Sequence, residues 1–442
     1  MTDTAALYRL FRSCPGGVTT DSRNCPSGSM FVALKGANFD GNRFAGKALE
    51  SGCLYAVTDS PEVVPPGDGR YILVGDGLEA LRMLAREHRR ALGTKLIGVT
   101  GTNGKTTTKE LLRAVLSRRY RVLATEGNLN NDIGVPLTLL RLRPEHEIGI
   151  VEMGASHPGD IRRLVEVAEP DCGIITNVGE AHLQGFGSIE GVARTKGELY
   201  DYLRTRKGAE VFLNADDTRL RKMAAGLPTV TYGTAGQEYV CGEAWDEGTS
   251  GPCFSFKWHT ASEPSREYGV HTHLIGAYNL PNVLAACAAG VRFGVSPEDI
   301  CAGIESYVPI QGRSRLVDTG RNRVVADAYN ANPTSMEAAL RNFAEMDAPR
   351  KMAVLGDMKE LGAASEAEHR RILDLAAGLG LERLIAVGAE FRVASEVAGV
   401  PVECCKDVAE AGALLRRMSP EGCLVLLKGS HSMNLESLLP LF

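Results

Sequence analysis

Residues 96–108, Leu-Ile-Gly-Val-Thr-Gly-Thr-Asn-Gly-Lys-Thr-Thr-Thr, have the types and spacing to hold an oligophosphate. An apolar strand enters a glycine-punctuated turn that closes on Lys105 and Thr106 and opens a helix. Gly101 and Gly104 let the backbone of Thr102 and Asn103 turn its N–H groups onto an anion. Lys105 adds a point charge at the terminal phosphates, and the Thr106 hydroxyl, with Thr107 beside it, can complete a Mg²⁺ shell. The following helix carries Leu111, Leu112, Val115 and Leu116 on one face and aims its positive end at the same anion. A strict P-loop has a further glycine where this chain has Val99, so the match is to a shorter form. An ordinary glycine-rich turn is the alternative; the coincidence of strand, turn, Lys-Thr and amphipathic helix favours nucleotide binding.

A second group of reactive side chains falls at the C-terminal ends of later strands, where ligands bind in open α/β sheets. Glu152 closes one strand in Glu-Met-Gly-Ala, and His182 follows another in Thr-Asn-Val-Gly-Glu-Ala-His. A strand-end Glu often caps the next helix and a loop His is usually solvated; position beside a phosphate loop makes both candidate metal ligands. Lys196, at the start of a helix in Ala-Arg-Thr-Lys-Gly-Glu-Leu-Tyr, reads by itself as a solvated charge. His271 and His273 alternate on a strand face with no third ligand nearby, which argues against a metal there.

These side chains need a scaffold of alternating strands and helices. Strands are expected at 30–34, 54–58 and 71–74 with a helix between Arg43 and Glu50, a small α/β unit; a helix at about 77–92 leads to the phosphate loop. Strands at 147–152, 173–176 and 210–213, each followed by a helical pattern, predict a parallel sheet covered on both faces. Alternation over about 236–273 predicts appended antiparallel strands. After Gly312 the pattern restarts with strands at 323–327, 352–355, 384–387 and 423–427. The expected architecture is α/β in three domains, at 1–80, 81–311 and 312–442.

With 442 residues and 44% hydrophobic content the chain can bury several cores. Its 49 basic and 54 acidic residues are interspersed, net −5, so neither a nucleic-acid surface nor an anionic-membrane patch is indicated. Small-molecule partners are the expectation. The 11 cysteines are scattered and never spaced Cys-x-x-Cys, which argues against a disulfide framework or a zinc site. The opening residues are acidic and polar where a secretion signal is basic then apolar, and no run is long enough to span a membrane. A cytoplasmic protein is expected.

The assembled motifs resemble the Mur ligase family, the ATP-dependent amide-forming enzymes of peptidoglycan precursor synthesis, over nearly the full chain. Thr100 to Thr107 is similar to the family's short phosphate loop. Gly127-Asn-Leu-Asn-Asn-Asp-Ile-Gly-Val-Pro136, Asp327-Ala-Tyr-Asn-Ala-Asn-Pro333, and Leu355-Gly-Asp-Met-Lys-Glu-Leu-Gly362 followed by His369 resemble the branch that adds D-alanyl-D-alanine. Thr20-Asp-Ser-Arg23, Phe31-Val-Ala-Leu-Lys-Gly36 and Asp40-Gly41 resemble its uridine-nucleotide-binding domain. The Asp-Asn-Pro-Arg motif of many diaminopimelate-adding members is missing, and His431 stands where many relatives carry arginine.

The resemblance implies a central P-loop ATPase domain with a parallel sheet, a small N-terminal UDP-binding domain and a C-terminal Rossmann-like domain. It implies ATP, two Mg²⁺ ions, UDP-MurNAc-tripeptide and D-Ala-D-Ala as ligands, and a monomer without nucleic-acid or membrane partners. The third residue of the tripeptide stays open between diaminopimelate and lysine. A carboxylate does not condense with an amine unaided, so ATP first converts it to an acyl phosphate that the amine attacks. Lys105, Glu152, His182 and Lys196 are the implied catalytic residues. Thr106 and Glu152 would hold one Mg²⁺, His182 and a carbamylated Lys196 the other. Asn279 and Asn282 match adenine-side asparagines, Asp327 a ribose acceptor and Arg313 a phosphate contact. Ser22, Arg23, Asp40, Thr125, Asn128, Asn131, Asn330, Lys428 and Ser430 are the implied substrate contacts, Thr125, Asn128 and Asn131 along the UDP-sugar diphosphate. Folylpolyglutamate synthase shares the phosphate loop but is not expected to carry the uridine-type segment. A nucleotide-gated scaffold is the rival outside enzymes, and the joint presence of Lys105, Glu152, His182 and Lys196 speaks against it.

Overall fold

A computed structural model describes residues 2–245, 252–309, 313–398 and 401–442. Buried, nearly all-apolar strands such as Ile148–Glu152 and Leu424–Lys428 have both faces covered. Such strands belong inside parallel sheets flanked by helices. Three large sheets result, besides a two-stranded antiparallel pair of Lys35–Gly36 with Phe39–Asp40. The first has four parallel strands in the order Val18–Thr19, Met30–Val32, Tyr55–Thr58 and Tyr71–Leu73.

The second sheet has nine strands. Lys95–Thr100 lies between Cys172–Ile175 and Ile148–Glu152, all parallel. The turns that follow these three strands therefore open side by side, which brings the phosphate loop, Glu152 and Thr176 together. On one flank, Val240–Trp245, Cys253–Thr260 and Tyr268–Ile275 pair antiparallel, matching the alternation read from the sequence. The third sheet runs Arg315–Asp318, Arg323–Asp327, Leu424–Lys428, Lys351–Gly356, Arg383–Val387 and Glu403–Cys405, antiparallel only at its first pair. The three-domain α/β architecture expected from the sequence is thus present. The proposed border between the second and third domains, 311/312, lies outside the described residues.

Helix Gly77–Leu92 runs through residue 80 and ties the first sheet's layer to the second. Asp76 caps its start by accepting the Glu79 N–H at 2.7 Å, and Gly93 ends it with φ 66°. His88 Nδ1 meets Tyr8 Oη at 3.3 Å, while Arg89 donates to the Ala168 and Glu169 carbonyls at 3.1 and 2.9 Å. The helix expected from Arg43 starts as a 3₁₀ turn, Gly41–Phe44, because Asp40 caps it by accepting the Asn42 N–H at 3.0 Å; the α-helix is Ala45–Glu50. Helix Thr4–Arg12 and the short strands Val122–Ala124, Thr229–Gly233, Arg315–Asp318 and Glu403–Cys405 were not anticipated. They are brief, and only sheet pairing distinguishes most of them from loop. All 11 cysteines are free. Among the described residues no helix is long and apolar enough to cross a membrane.

Candidate functional site

The phosphate loop lines a cavity of about 980 Å³ between the second and third domains. Gly101, at φ 145°, lies so close to Thr176 that a Cβ would sit 1.9 Å from its Oγ1; one on Gly104, at φ 77°, would sit 2.6 Å from Asn282 Oδ1. Both glycines are therefore required by close approach as well as by backbone sign. Asn177 braces the turn, its Oδ1 accepting the Asn103 N–H at 2.9 Å. Lys105 Nζ folds back on the Gly101 and Thr102 carbonyls at 2.9 Å each. Burial pushes the Lys105 ammonium below its ordinary range, with Glu152 pulling it back up and Arg313 adding to the fall.

Glu152, 2% exposed, is held from both sides. Its Oε2 accepts the Thr106 hydroxyl and its Oε1 the Asn130 amide, both at 2.8 Å. Lys109, fully buried, has its Nζ 4.0 Å from Glu152 Oε2 and donates to the Thr125 carbonyl at 2.6 Å. Thr125, expected on the diphosphate path, is buried, and its Oγ1 accepts the Glu152 N–H at 3.0 Å. It supports Glu152 from behind. A carboxylate and a hydroxyl converging beside a phosphate loop are the hard oxygen donors that Mg²⁺ takes with phosphate and water. Among the described residues no three His, Cys, Asp or Glu side chains form a metal cluster, so the fit depends on phosphate oxygens as partners.

His182, at φ 52°, opens the short helix Leu183–Phe186, and its Nδ1 pairs with the Glu360 carboxylate. Burial pushes this imidazole down and Glu360 opposes the shift. Lys196 is 2% exposed on helix Ile189–Arg204, its ammonium 5.7 Å from the Phe186 ring centre. No carboxylate pairs with it among the described residues. Burial first, and Lys105 second, push it well below the ordinary lysine range. The solvated surface charge that its sequence context suggested is thus excluded. An unpaired, desolvated amine is the form that adds CO₂, and the resulting anionic oxygen would suit a metal.

Asn279 and Asn282 form a chain at the cavity wall. Asn282 Nδ2 donates to Asn279 Oδ1 at 2.9 Å and its Oδ1 accepts the Thr108 hydroxyl at 3.1 Å. The third domain supplies the opposite wall. Asp327 accepts Lys428 Nζ at 2.6 Å, and Lys428, 1% exposed, also donates to the Asn330 carbonyl at 3.3 Å. Lys428 thus lines the cavity with its ammonium already held by Asp327 and the Asn330 carbonyl. Arg313 stacks 3.8 Å from the Tyr329 ring centre.

Several implied substrate contacts lie elsewhere. Arg23 forms a two-pronged pair with Asp21, 2.9 Å per contact, near Ser22 in the N-terminal domain. Asp40 caps its turn, and Asn128 is exposed on a loop. Asn131 lines the cavity but its Oδ1 accepts the Ile133 and Gly134 N–H groups at 3.2 and 2.9 Å. Ser430 is buried, accepting the Lys359 N–H at 3.1 Å. Sequence reasoning missed Asn130, Lys109, Asn177, Asn332 and Glu360. Asn130 sits between two asparagines that were named, and polarity alone does not tell which of three neighbours faces a carboxylate.

Three profiles match in order: the catalytic domain of the Mur ligase family over residues 16–89, the Mur ligase middle domain over 99–290, and the Mur ligase glutamate ligase domain over 312–431. The UDP-N-acetylmuramoyl-tripeptide--D-alanyl-D-alanine ligase of Bacillus subtilis is 36% identical over 429 residues, covering 96% of this chain and 92% of that protein. The crystal structure of MurF from Acinetobacter baumannii superposes with a TM-score of 0.85 at 32% identity, covering 98% and 97% of the two chains. MurF ligase from Thermotoga maritima in complex with ADP gives a TM-score of 0.85 at 27% identity, covering 100% and 98%.

Proposed function

Since the chain belongs to the Mur ligase family, we propose that, like the Bacillus subtilis ligase, it joins D-alanyl-D-alanine to UDP-N-acetylmuramoyl-tripeptide, and that it does so at the expense of ATP. One observation carries the reading: the phosphate loop, Glu152 and the third domain's Asp327 and Arg313 all face one cavity. Such a cavity can hold ATP, a carboxylate and an amine together and exclude water from the acyl phosphate between them.

Lys105 swings from the Gly101 and Thr102 carbonyls to the transferring phosphoryl group. Thr106 and Glu152 would hold one Mg²⁺, and His182 with a carbamylated Lys196 a second; such ions would supply charge neutralisation on that group. Asn279 and Asn282 face the adenine, Arg313 the phosphates and Asp327 the ribose. The amine then attacks the acyl carbon, the C–N bond forms as the C–O bond to phosphate breaks, and the amine's proton leaves to solvent or base. Products are the pentapeptide, ADP and phosphate. Ser22, Arg23 and Asp40 bind the uridine diphosphate end. Domain limits at 1–80, 81–311 and 312–442, a monomeric state and a cytoplasmic location complete the proposal.

A phosphate-release assay crossing UDP-muramoyl di- and tripeptides with D-Ala-D-Ala and single amino acids tests it. Turnover only with tripeptide plus D-Ala-D-Ala is expected. Turnover with dipeptide plus a single amino acid would overturn the assigned step.

A further inference from the structure

Five carboxylates line the cavity: Asp132, Glu152, Asp160, Asp327 and Glu360. Four are occupied by the protein itself. Asp132 pairs with Arg82 at 2.8 Å and Arg163 at 3.4 Å. Glu152 accepts Thr106 and Asn130, as described. Asp160 accepts the Ser156 and His157 N–H groups at 2.8 Å each and pairs with Arg163. Asp327 holds Lys428. Glu360 alone has no Lys or Arg partner among the described residues; it meets only the His182 ring, and its side chain is 57% exposed.

The segment that presents Glu360 is built to hold it still. Glu360 is left-handed at φ 64°, and its carbonyl accepts the Gln184 N–H at 3.1 Å. Two residues on, Gly362 at φ 56° packs against Gln184, 3.4 Å from the position a Cβ would take. Upstream, buried Asp357 accepts the Phe391 N–H at 3.1 Å and Lys359 Nζ at 3.1 Å. Gly388 makes room for it, since a Cβ there would lie 2.3 Å from the Asp357 carboxyl. His369 Nε2 accepts the Met358 N–H at 3.0 Å. Lys359, the one cation beside Glu360 in sequence, is thus turned inward to Asp357. Asp357, Met358, Gly362 and His369, which the ligation chemistry leaves without a task, hold the segment that carries this outward carboxylate.

The incoming dipeptide carries one cation, its α-ammonium, and that nitrogen must reach the acyl carbon beside the phosphate loop. A carboxylate with no Lys or Arg partner among the described residues, meeting only the His182 ring, set on the third domain and lining the cavity, is complementary to it. We propose that Glu360 is the binding and orienting group for the α-ammonium of D-alanyl-D-alanine. The inference rests on the ligation reading above.

The test uses the full-length protein and Glu360→Gln, a substitution at an exposed side chain that should leave the melting temperature unchanged. KM for D-Ala-D-Ala should rise about tenfold or more, equivalent to roughly 1.4 kcal/mol, while KM for ATP and for UDP-tripeptide moves less than about twofold. Acyl phosphate formed from ATP and UDP-tripeptide without dipeptide should be unaffected. Glu360→Asp should recover part of the dipeptide KM. An unchanged dipeptide KM in Glu360→Gln overturns the inference alone. A parallel loss of acyl-phosphate formation also overturns it, because Glu360 would then act by placing His182. Wild-type protein that never turns over D-Ala-D-Ala overturns the ligation reading and this inference with it.

Discussion

Asn332 donates its Nδ2 to Asn103 Oδ1 at 2.7 Å, joining the third domain to the phosphate loop by one side-chain pair. The same Asn332 caps helix Pro333–Glu345, its Oδ1 accepting the Ser335 N–H at 2.9 Å. Thr334, in the first turn of that helix, accepts the Glu180 N–H on its Oγ1 at 3.3 Å. The helix start therefore reads the loop directly, so loop geometry and domain position are coupled.

Asn332→Ser separates these two tasks. Serine keeps the cap and removes the amide that reaches Asn103. Melting temperature should stay within the change expected of less than about 1 kcal/mol, while KM for ATP rises about fivefold for one lost hydrogen bond. ATP-dependent initial rates check it; an unchanged KM would mean that the pair does not shape the loop.

The Asp327–Lys428 pair joins register partners on adjacent parallel strands. Asp327→Ala leaves Lys428 buried without its counter-charge, at a cost of about 3 kcal/mol. Asp327→Ala should also raise KM for ATP, and Lys428→Met in the same chain should restore most of that stability while leaving the raised KM in place. Denaturant unfolding of both variants, with ATP kinetics, distinguishes a structural pair from a ribose contact; if the double variant regains normal ATP kinetics, Asp327 has no part in nucleotide binding.

Lys196→Ala should lose about a hundredfold or more in turnover and be partly restored by acetate or formate, which can place an anionic oxygen in the vacated space. Lys196→Glu should retain more activity than Lys196→Arg, since only glutamate offers a carboxylate. Wild-type protein in ¹³C-bicarbonate should show a carbamate carbon resonance absent from Lys196→Ala. Ordinary turnover in Lys196→Ala would remove the second metal site.

His369 is fully buried, with Nε2 accepting the Met358 N–H and Nδ1 2.7 Å from the Ser365 carbonyl. That network assigns the proton to Nδ1. Burial pushes the imidazole below its ordinary range. The unfolded chain binds a proton near pH 6.5 and the folded one only at lower pH, so stability is intact above about 6.5 and falls as pH drops below it. His369→Gln should reduce the slope of melting free energy against pH between 5 and 6.5 by up to about 1.4 kcal/mol per pH unit. Equal slopes in both proteins would show that His369 does not titrate on unfolding.

The amino-acid sequence by itself determined the local pieces: the strand, turn and helix of the phosphate loop, the buried strands of the three large sheets, and an antiparallel flank read at about 236–273. These follow from periodicity, glycine placement and apolar runs, all short-range properties of the chain. It also placed Glu152 at the end of one strand and His182 in the loop after another, and both line the cavity. Only the tertiary structure decided what each side chain meets. Thr125 turns inward to Glu152 and Lys428 to Asp327, while Lys196, a surface charge in sequence context, is buried with no carboxylate paired to it among the described residues. Asn130 and not its neighbours holds Glu152, because the turn's exact rotation selects one asparagine of three. Glu360 was invisible as a site residue because its meaning depends on Lys359 being drawn to Asp357, and on the third domain meeting His182 across the cavity. Periodicity carries no information about such pairings, since the partners are far apart in sequence and set by how three separately formed sheets close on one another.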